Sequence, residues 1–270
     1  MRTVCAAVCL LTTSWALVGC VAPVETEEEA NELLGETNLA VSSANGLTSI
    51  NGLTSINGLM NVNGITTTGP LNGSGLANGN TTAGAKGLMT TAAGRLTVDY
   101  LVKCALPRSR AISKKDQFNK SYAFTGSLGF APEWETGTCG TQCKRWVSAC
   151  MIAHINTAGV HVPLWITAIL PNVGFTTSSL YPFQEGSFMG DIFTSPPKAY
   201  YCNGIDFGSA VVSGRIGATQ VGAPYRNITA IGSLTSTCKP TCTPSTDVLK
   251  PAGFKACMGY NEVVTVWRKD

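Results

Sequence analysis

Charge is scarce in this sequence. Only 13% of its 270 residues are Asp, Glu, Lys or Arg, about half the usual share. The basic residues are scattered rather than gathered into a stripe, so no specific nucleic-acid partner is expected. Histidine is rarer still, with His154 and His161 the only two. A thiol or hydroxyl nucleophile needs a base within about 3 Å, so few places could build one. No G-x-S-x-G elbow, phosphate loop, H-E-x-x-H pair or dinucleotide fingerprint occurs, and no cofactor is implied. C-x-x-C is absent, which removes the usual redox-exchange motif. Beyond the N-terminal stretch no apolar run is long enough to cross a bilayer.

The charge that is present is uneven. Residues 21–80 carry six glutamates (Glu25, Glu27, Glu28, Glu29, Glu32, Glu36) and no lysine or arginine, a net −6. Residues 81–270 carry 18 Lys/Arg against 10 Asp/Glu, a net +8. A moderately basic domain of this kind could attract anionic glycans, lipids or nucleic acid, with an anionic glycan or a protein the expected ligand and a solvated surface the plainer reading of the scattered charges.

The start, MRTVCAAVCLLTTSWALVGCVAP, has Arg2, then an apolar stretch from Thr3 to Leu17, then small residues before Cys20. This is the layout of an export signal. Leu17-Val18-Gly19-Cys20 resembles a bacterial lipobox. That resemblance implies cleavage before Cys20 and acylation of its sulfur and its new amine, so the membrane becomes a partner through the lipid on Cys20. Val21 after the cysteine goes, in that family, with outer-membrane or cell-surface delivery. The alternatives are a signal peptide cut elsewhere, an anchor helix that the Thr-Thr-Ser interruption weakens, and a eukaryotic secreted chain glycosylated at Asn119 and Asn227.

The chain divides into four parts on composition: a signal over 1–19, a lipidated acidic tether over 20–44, a repeat spacer over 45–88 and a cysteine-rich domain over 89–270. The spacer is periodic, NGLTSI NGLTSI NGLMNV NGITTT, with Asn-Gly every six residues and an aliphatic residue every three. Asn-Gly suits β-helix turns because both residues tolerate positive φ. The tract nevertheless offers fewer coils than the three or so units that stacked repeats need, so a low-complexity spacer is the preferred reading.

In the domain, Leu96, Tyr100, Leu101 and Cys104 fall at helical spacing and Pro107 stops them. Residues 119–134 suggest strands around a Gly turn. Cys143, Val147, Cys150 and His154 mark a second helix closed by Gly159. Val160, Val162, Leu164, Ile166 and Ala168 alternate, as on one face of a strand. Shorter strands are expected at Ala210–Ser213, Ile228–Ile231 and the final NEVVTVWR. The fold class is therefore α+β: a disulfide-stapled, mainly antiparallel β domain with one or two short helices, preceded by a low-complexity tether. The segments YLVKCALP, GSLGFAPEW, CGTQCKRWVSACMIAHIN, EGSFMGDIF and VVTVWRK together resemble a cysteine-rich ectodomain of bacterial lipoproteins that carry an Asn-Gly-Leu repeat tract. That resemblance covers residues 90–270 and implies architecture without chemistry.

Of the eleven cysteines, Cys5 and Cys9 leave with the signal and Cys20 is the lipid site. The remaining eight, Cys104, Cys139, Cys143, Cys150, Cys202, Cys238, Cys242 and Cys257, are the number four disulfides require in an exported domain. Eight cysteines allow 105 pairings. Cys143 and Cys150 lie about 10 Å apart along one helix, beyond the roughly 7 Å a bridge tolerates. Both should reach across to other segments, with Cys104 a natural partner. Two readings compete. A papain-like nucleophile fails because Lys144 and Arg145 separate Cys143 from Trp146 and His154 lies too far along the helix. Zinc at the C-x3-C pairs Cys139/Cys143 and Cys238/Cys242 departs from the usual spacing and from an oxidising compartment.

Two further sets of side chains could carry function. Glu133, Glu135, Glu185 and Asp191 could form a carboxylate pair of the glycosidase kind. The tract from Leu180 to Phe207 holds Tyr181, Phe183, Phe188, Phe193, Tyr200, Tyr201 and Phe207. Tyr181, Phe183, Phe188, Tyr200 and Tyr201 are the candidate binding aromatics, although aromatics of a stapled domain more often fill its core. His154 reads as a core histidine and His161 as a solvated one. The whole reads as a lipid-anchored exported surface protein with a non-catalytic structural, adhesive or ligand-binding ectodomain, with a secreted carboxylate-dependent hydrolase as the alternative.

Overall fold

The computed structural model describes residues 41–45, 65–79, 87–155, 162–195, 197–206, 229–230, 237–245, 249 and 251–269. They form the expected α+β fold, two helices with mostly antiparallel sheet. The strand expected at Ala210–Ser213 and the helix-closing Gly159 lie outside the described residues, as does His161.

Helix α1 (Ala92–Ala105) begins where the Thr91 side chain accepts the Gly94 N–H, satisfying one of the unpaired donors of the first turn. It ends at Leu106, which the following proline holds extended. Helix α2 (Thr141–Ala153) has no side-chain cap at Gly140. The Cys139–Cys143 bridge ties its first turn instead. Ser148 fixes α2 to the sheet, giving its hydroxyl proton to the Lys144 carbonyl and accepting the Ile192 N–H at 2.9 Å.

The main sheet has six strands in the order β1 (Val41–Asn45), β4 (Val162–Thr167), β10 (Val264–Arg268), β5 (Phe183–Asp191), β6 (Lys198–Asn203) and β7 (Thr229–Ala230). Every pairing is antiparallel except β6 with β7. Helix α2 lies against β5. Val162, Leu164 and Ile166 are buried on β4 as the alternation predicts, but Trp165 and Thr167 are buried too. The second face of β4 is covered because Trp165 stacks on Tyr181 and joins Trp267 in a small aromatic cluster. Two hairpins complete the domain: β2 (Ala111–Lys115) with β3 (Ser121–Thr125), and β8 (Cys242–Pro244) with β9 (Phe254–Cys257). Residues 126–131, expected as a second strand after β3, run along the end of α1 instead, with Phe130 and Ala131 donating to the Cys104 and Ala105 carbonyls.

The domain boundary moves. Composition places residues 65–79 in the spacer, yet Ile65, Leu71 and Leu76 are fully buried in the main core. The Leu71 and Asn72 N–H groups donate to the carbonyls of Trp134 and Glu135, the Trp134 indole donates to Gly69, and Cys139 donates to Thr67. The glycines allow this fold-back: a Cβ on Gly75 would lie 2.1 Å from the Gly69 carbonyl oxygen. Glycine richness here serves close packing, not flexibility. Upstream, β1 adds to β4, so part of the segment read as acidic tether also belongs to the sheet.

Candidate functional site

All eight domain cysteines are paired among the described residues. Cys104–Cys150 joins α1 to α2 (Cα separation 5.8 Å) and Cys202–Cys238 joins β6 to the following segment (5.0 Å). Cys242–Cys257 crosses the β8–β9 hairpin (4.3 Å), and Cys139–Cys143 closes the α2 start (5.2 Å). The Cys104–Cys150 link matches the sequence reading. Cys143 does not reach across to another segment as expected: Cys139 precedes the helix, so the chain can fold back and bring two cysteines four apart into bridging range. The C-x3-C resemblance between the two pairs is therefore only formal, since Cys238 and Cys242 each bond elsewhere. Cys202 Sγ nonetheless lies 3.7 Å from Cys242 Sγ, so two bridges touch in one buried cluster with Met189, Phe254 and Val263.

Two sets of potential metal ligands follow from this packing, Cys104/Cys150/His154 and Cys202/Cys238/Cys242, each within 4.8 Å. In both, two of the sulfurs are bonded to each other, and a thiolate ligand would require reduction first. His154 is buried beside Tyr100, with ring centroids 5.4 Å apart and Nδ1 2.9 Å from the Cys150 carbonyl oxygen. It is the core histidine the sequence suggested. It sits beside Cys150, not Cys143, whose sulfur is bonded to Cys139.

Of the four carboxylates, Glu185 and Asp191 do not come together. Glu133 is exposed, and its neighbour Glu135 meets Arg110 at 3.5 Å. Glu185 is buried against Arg268 at 3.1 Å, the two side chains only 3% and 2% exposed. Asp191 stands six residues further along the same strand, about 20 Å away at strand rise. Its carboxylate accepts the Phe193 N–H at 3.0 Å.

Asp191 instead approaches a group the sequence did not reveal. Arg145, half-buried on α2, lies 3.7 Å from Glu262 and 5.1 Å above the Tyr260 ring. Tyr260 in turn meets Tyr200 at 5.8 Å between centroids. The Tyr260 phenol is pushed up, first by burial and then by Tyr200, Asp191 and Glu262, with Arg145 opposing them. Tyr260 is presented by a tight turn in which Met258 (φ 50°) and Gly259 (φ 79°) both have positive φ and Cys257 and Tyr260 exchange two backbone hydrogen bonds. This is hairpin-turn geometry, which Asn-Gly favours and methionine does not. The only sequence signal for the group was the Met-Gly pair ahead of Tyr260.

The candidate binding aromatics do not form a surface. Tyr181, Phe188 and Tyr201 are buried, as is Phe193, which meets Trp134 edge-on at 5.9 Å. Phe183 and Tyr200 are half-buried, and Phe207 lies outside the described residues. The physical reason is that this tract is not a loop: it supplies β5 and β6, inside the sheet.

Two charged groups elsewhere are tuned by the fold. Lys114 is buried, donates to the Gly73 carbonyl, and has its ammonium pushed down to about 8 by desolvation. For Asp116, burial acts to raise the carboxyl. The Phe118 and Lys120 N–H groups, the Tyr122 hydroxyl and the nearby Arg95 outweigh it and hold the carboxyl below its ordinary range. Among the described residues no helix is long and apolar enough to cross a membrane. No family model, curated protein or solved structure matches the chain.

Proposed function

We propose that this is a lipid-anchored exported surface protein whose ectodomain is structural, adhesive or ligand-binding and not catalytic. The observation that carries the reading is the complete pairing of the eight cysteines beyond Cys20, which belongs to an oxidising compartment. Leu17-Val18-Gly19-Cys20 at the end of an apolar N-terminal stretch supplies the route there. For the ectodomain, the non-catalytic reading is supported by the engagement of Glu185 with Arg268 and of Glu135 with Arg110, and by the separation of Glu185 from Asp191 along one strand.

The test is labelling of growing cells with an alkyne fatty acid, followed by fractionation. The native chain should carry label and sediment with membranes. The Cys20→Ser chain should lose the label and leave the acylated membrane pool. An unlabelled native chain in the soluble fraction would remove the anchor from the account.

A further inference from the structure

We propose that the β2–β3 hairpin seats the ectodomain on an anionic phospholipid bilayer, with Phe118 entering the interface between flanking lysines. The proposal rests on the anchored reading only for proximity. The twenty residues 21–40 between Cys20 and β1 span at most about 70 Å even when fully extended, so an acylated Cys20 keeps the domain close to the membrane.

Phe118 is 79% exposed and is the one aromatic among the exposed large hydrophobic side chains of the described residues. A loop that needed only to close the hairpin could fold such a ring inward. This loop is built to hold it out. Asp116 Oδ1 accepts the N–H groups of Phe118 at 2.8 Å and Lys120 at 3.0 Å, and Oδ2 accepts the Tyr122 hydroxyl proton at 3.0 Å. The Asp116 N–H donates to Lys120 and the Asn119 N–H to Asp116, while Asn119 adopts φ 63°. From outside the loop, the Gln117 side-chain amide donates to Thr90, and the edge of β2 bonds to Asn78 and Gly79. Little conformational freedom is left to lose when the tip enters another phase.

The exposed charge around the tip is positive. Lys115 and Lys120 are exposed and flank Phe118 in the sequence, Lys120 with its ammonium 5.3 Å above the Tyr122 ring, and Arg108 and Arg110 continue the positive charge at the base of the hairpin, Arg110 shared with Glu135. The single acidic group of the loop, Asp116, is buried under its own hydrogen bonds. The outward rungs between tip and base are Ala111, Ser113, Ser121, Ala123 and Thr125, small side chains that do not obstruct a flat surface. An exposed aromatic ring flanked by lysines matches an interface whose headgroups are negative and whose next layer is apolar. A soluble anionic polymer would use the lysines and leave the ring idle.

The test uses the mature chain, residues 20–270 with Cys20→Ser, so that neither the apolar signal nor an acyl group contributes. It is sedimented with vesicles of phosphatidylcholine alone or of phosphatidylcholine with phosphatidylglycerol. The anionic lipid should raise the bound fraction at least about tenfold, and high salt should reverse the gain. Phe118→Ser and the double change Lys115→Glu/Lys120→Glu should each lower anionic-vesicle binding about tenfold, while Phe118→Leu retains it. All of these side chains are exposed, so far-ultraviolet circular dichroism and the urea midpoint should be unchanged throughout. Equal binding to both vesicle types overturns the proposal, as does indifference to the Phe118→Ser change. Displacement by a soluble anionic polysaccharide with Phe118→Ser still bound would make the hairpin a glycan surface and equally overturn it. Fatty-acid labelling of Cys20 is read separately, so failure of the hairpin and failure of the anchor are distinguishable.

Discussion

Leu71→Ala should destabilise the domain by about 2–5 kcal/mol, the range for emptying a buried leucine site. Leu71 has no exposed surface and packs in the main core with Ile65 and Leu76. Its backbone N–H donates to Trp134 at 2.8 Å, and the Trp134 indole donates back to Gly69 at 3.1 Å, so the segment and the 132–139 region are bound reciprocally. The upper end of the range applies if this double link prevents the cavity from collapsing. If the chain relaxes around the shortened side chain, the lower end applies. The assay is urea unfolding of the full chain with its disulfides intact, followed by tryptophan fluorescence and far-ultraviolet circular dichroism. The midpoint should fall with the slope unchanged. A true spacer would give a change within about 0.5 kcal/mol, as for an ordinary surface substitution. That result, for Leu71→Ala and Leu76→Ala alike, would refute the placement of residues 65–79 in the core.

Three further outcomes follow from particular side chains. Because the Lys114 ammonium is pushed down to about 8 when folded and lies near 10.5 when unfolded, the unfolded state binds the extra proton between those values. Stability should therefore rise with pH across that window, and the advantage of Lys114→Met over the native chain should shrink by up to about 2 kcal/mol between pH 7 and pH 10. Urea midpoints at both pH values check this, and a pH-independent difference would contradict it. Met258→Asn should stabilise by about 0.5–1 kcal/mol, since it replaces an exposed side chain at φ 50° with the Asn-Gly pair that such a turn favours. A raised thermal midpoint is the expected reading, and an unchanged or lowered one would show that the turn is not strained by methionine. Conversion of Arg145 to Met should lower the Tyr260 phenol's exposure to positive charge and so raise its pKa further, readable as a shift of the tyrosinate absorbance to higher pH. No shift would place Arg145 away from the ring.

The helices and strands β3, β4, β7 and β10 were legible because their patterns are local. Leu96, Tyr100, Leu101 and Cys104 mark one face of α1, Pro107 stops it, and the run at 162–167 is a strand by alternation. Strands β5 and β6 were not legible. Buried on nearly its whole length, β5 shows no alternation, and it carries Gly186 and Gly190 where most strands carry branched residues. Those glycines answer a tertiary need: a Cβ on Gly186 would lie 2.7 Å from the Cys202 carbonyl oxygen, and one on Gly190 2.2 Å from that of Lys198. The same error, reading glycine as looseness, hid the core role of residues 65–79. The cysteine count predicted the four bridges, but not the local Cys139–Cys143 link, which depends on the chain turning just before α2. The Arg145, Tyr260 and Glu262 group unites α2 with a turn more than a hundred residues later, and no spacing rule joins them. Phe118 was equally silent, since its exposure follows from how Asp116 organises the loop around it.

The most direct measurement is the intact mass of the chain purified from the cells that produce it, taken with and without thiol alkylation under denaturing, non-reducing conditions. The account requires a mass beginning at Cys20 with acyl groups attached, lighter by the eight hydrogens lost in four disulfides, and no alkylated thiol. A chain that begins elsewhere without acyl mass would contradict the anchor. Alkylation at any of the eight domain cysteines would contradict the stapled ectodomain.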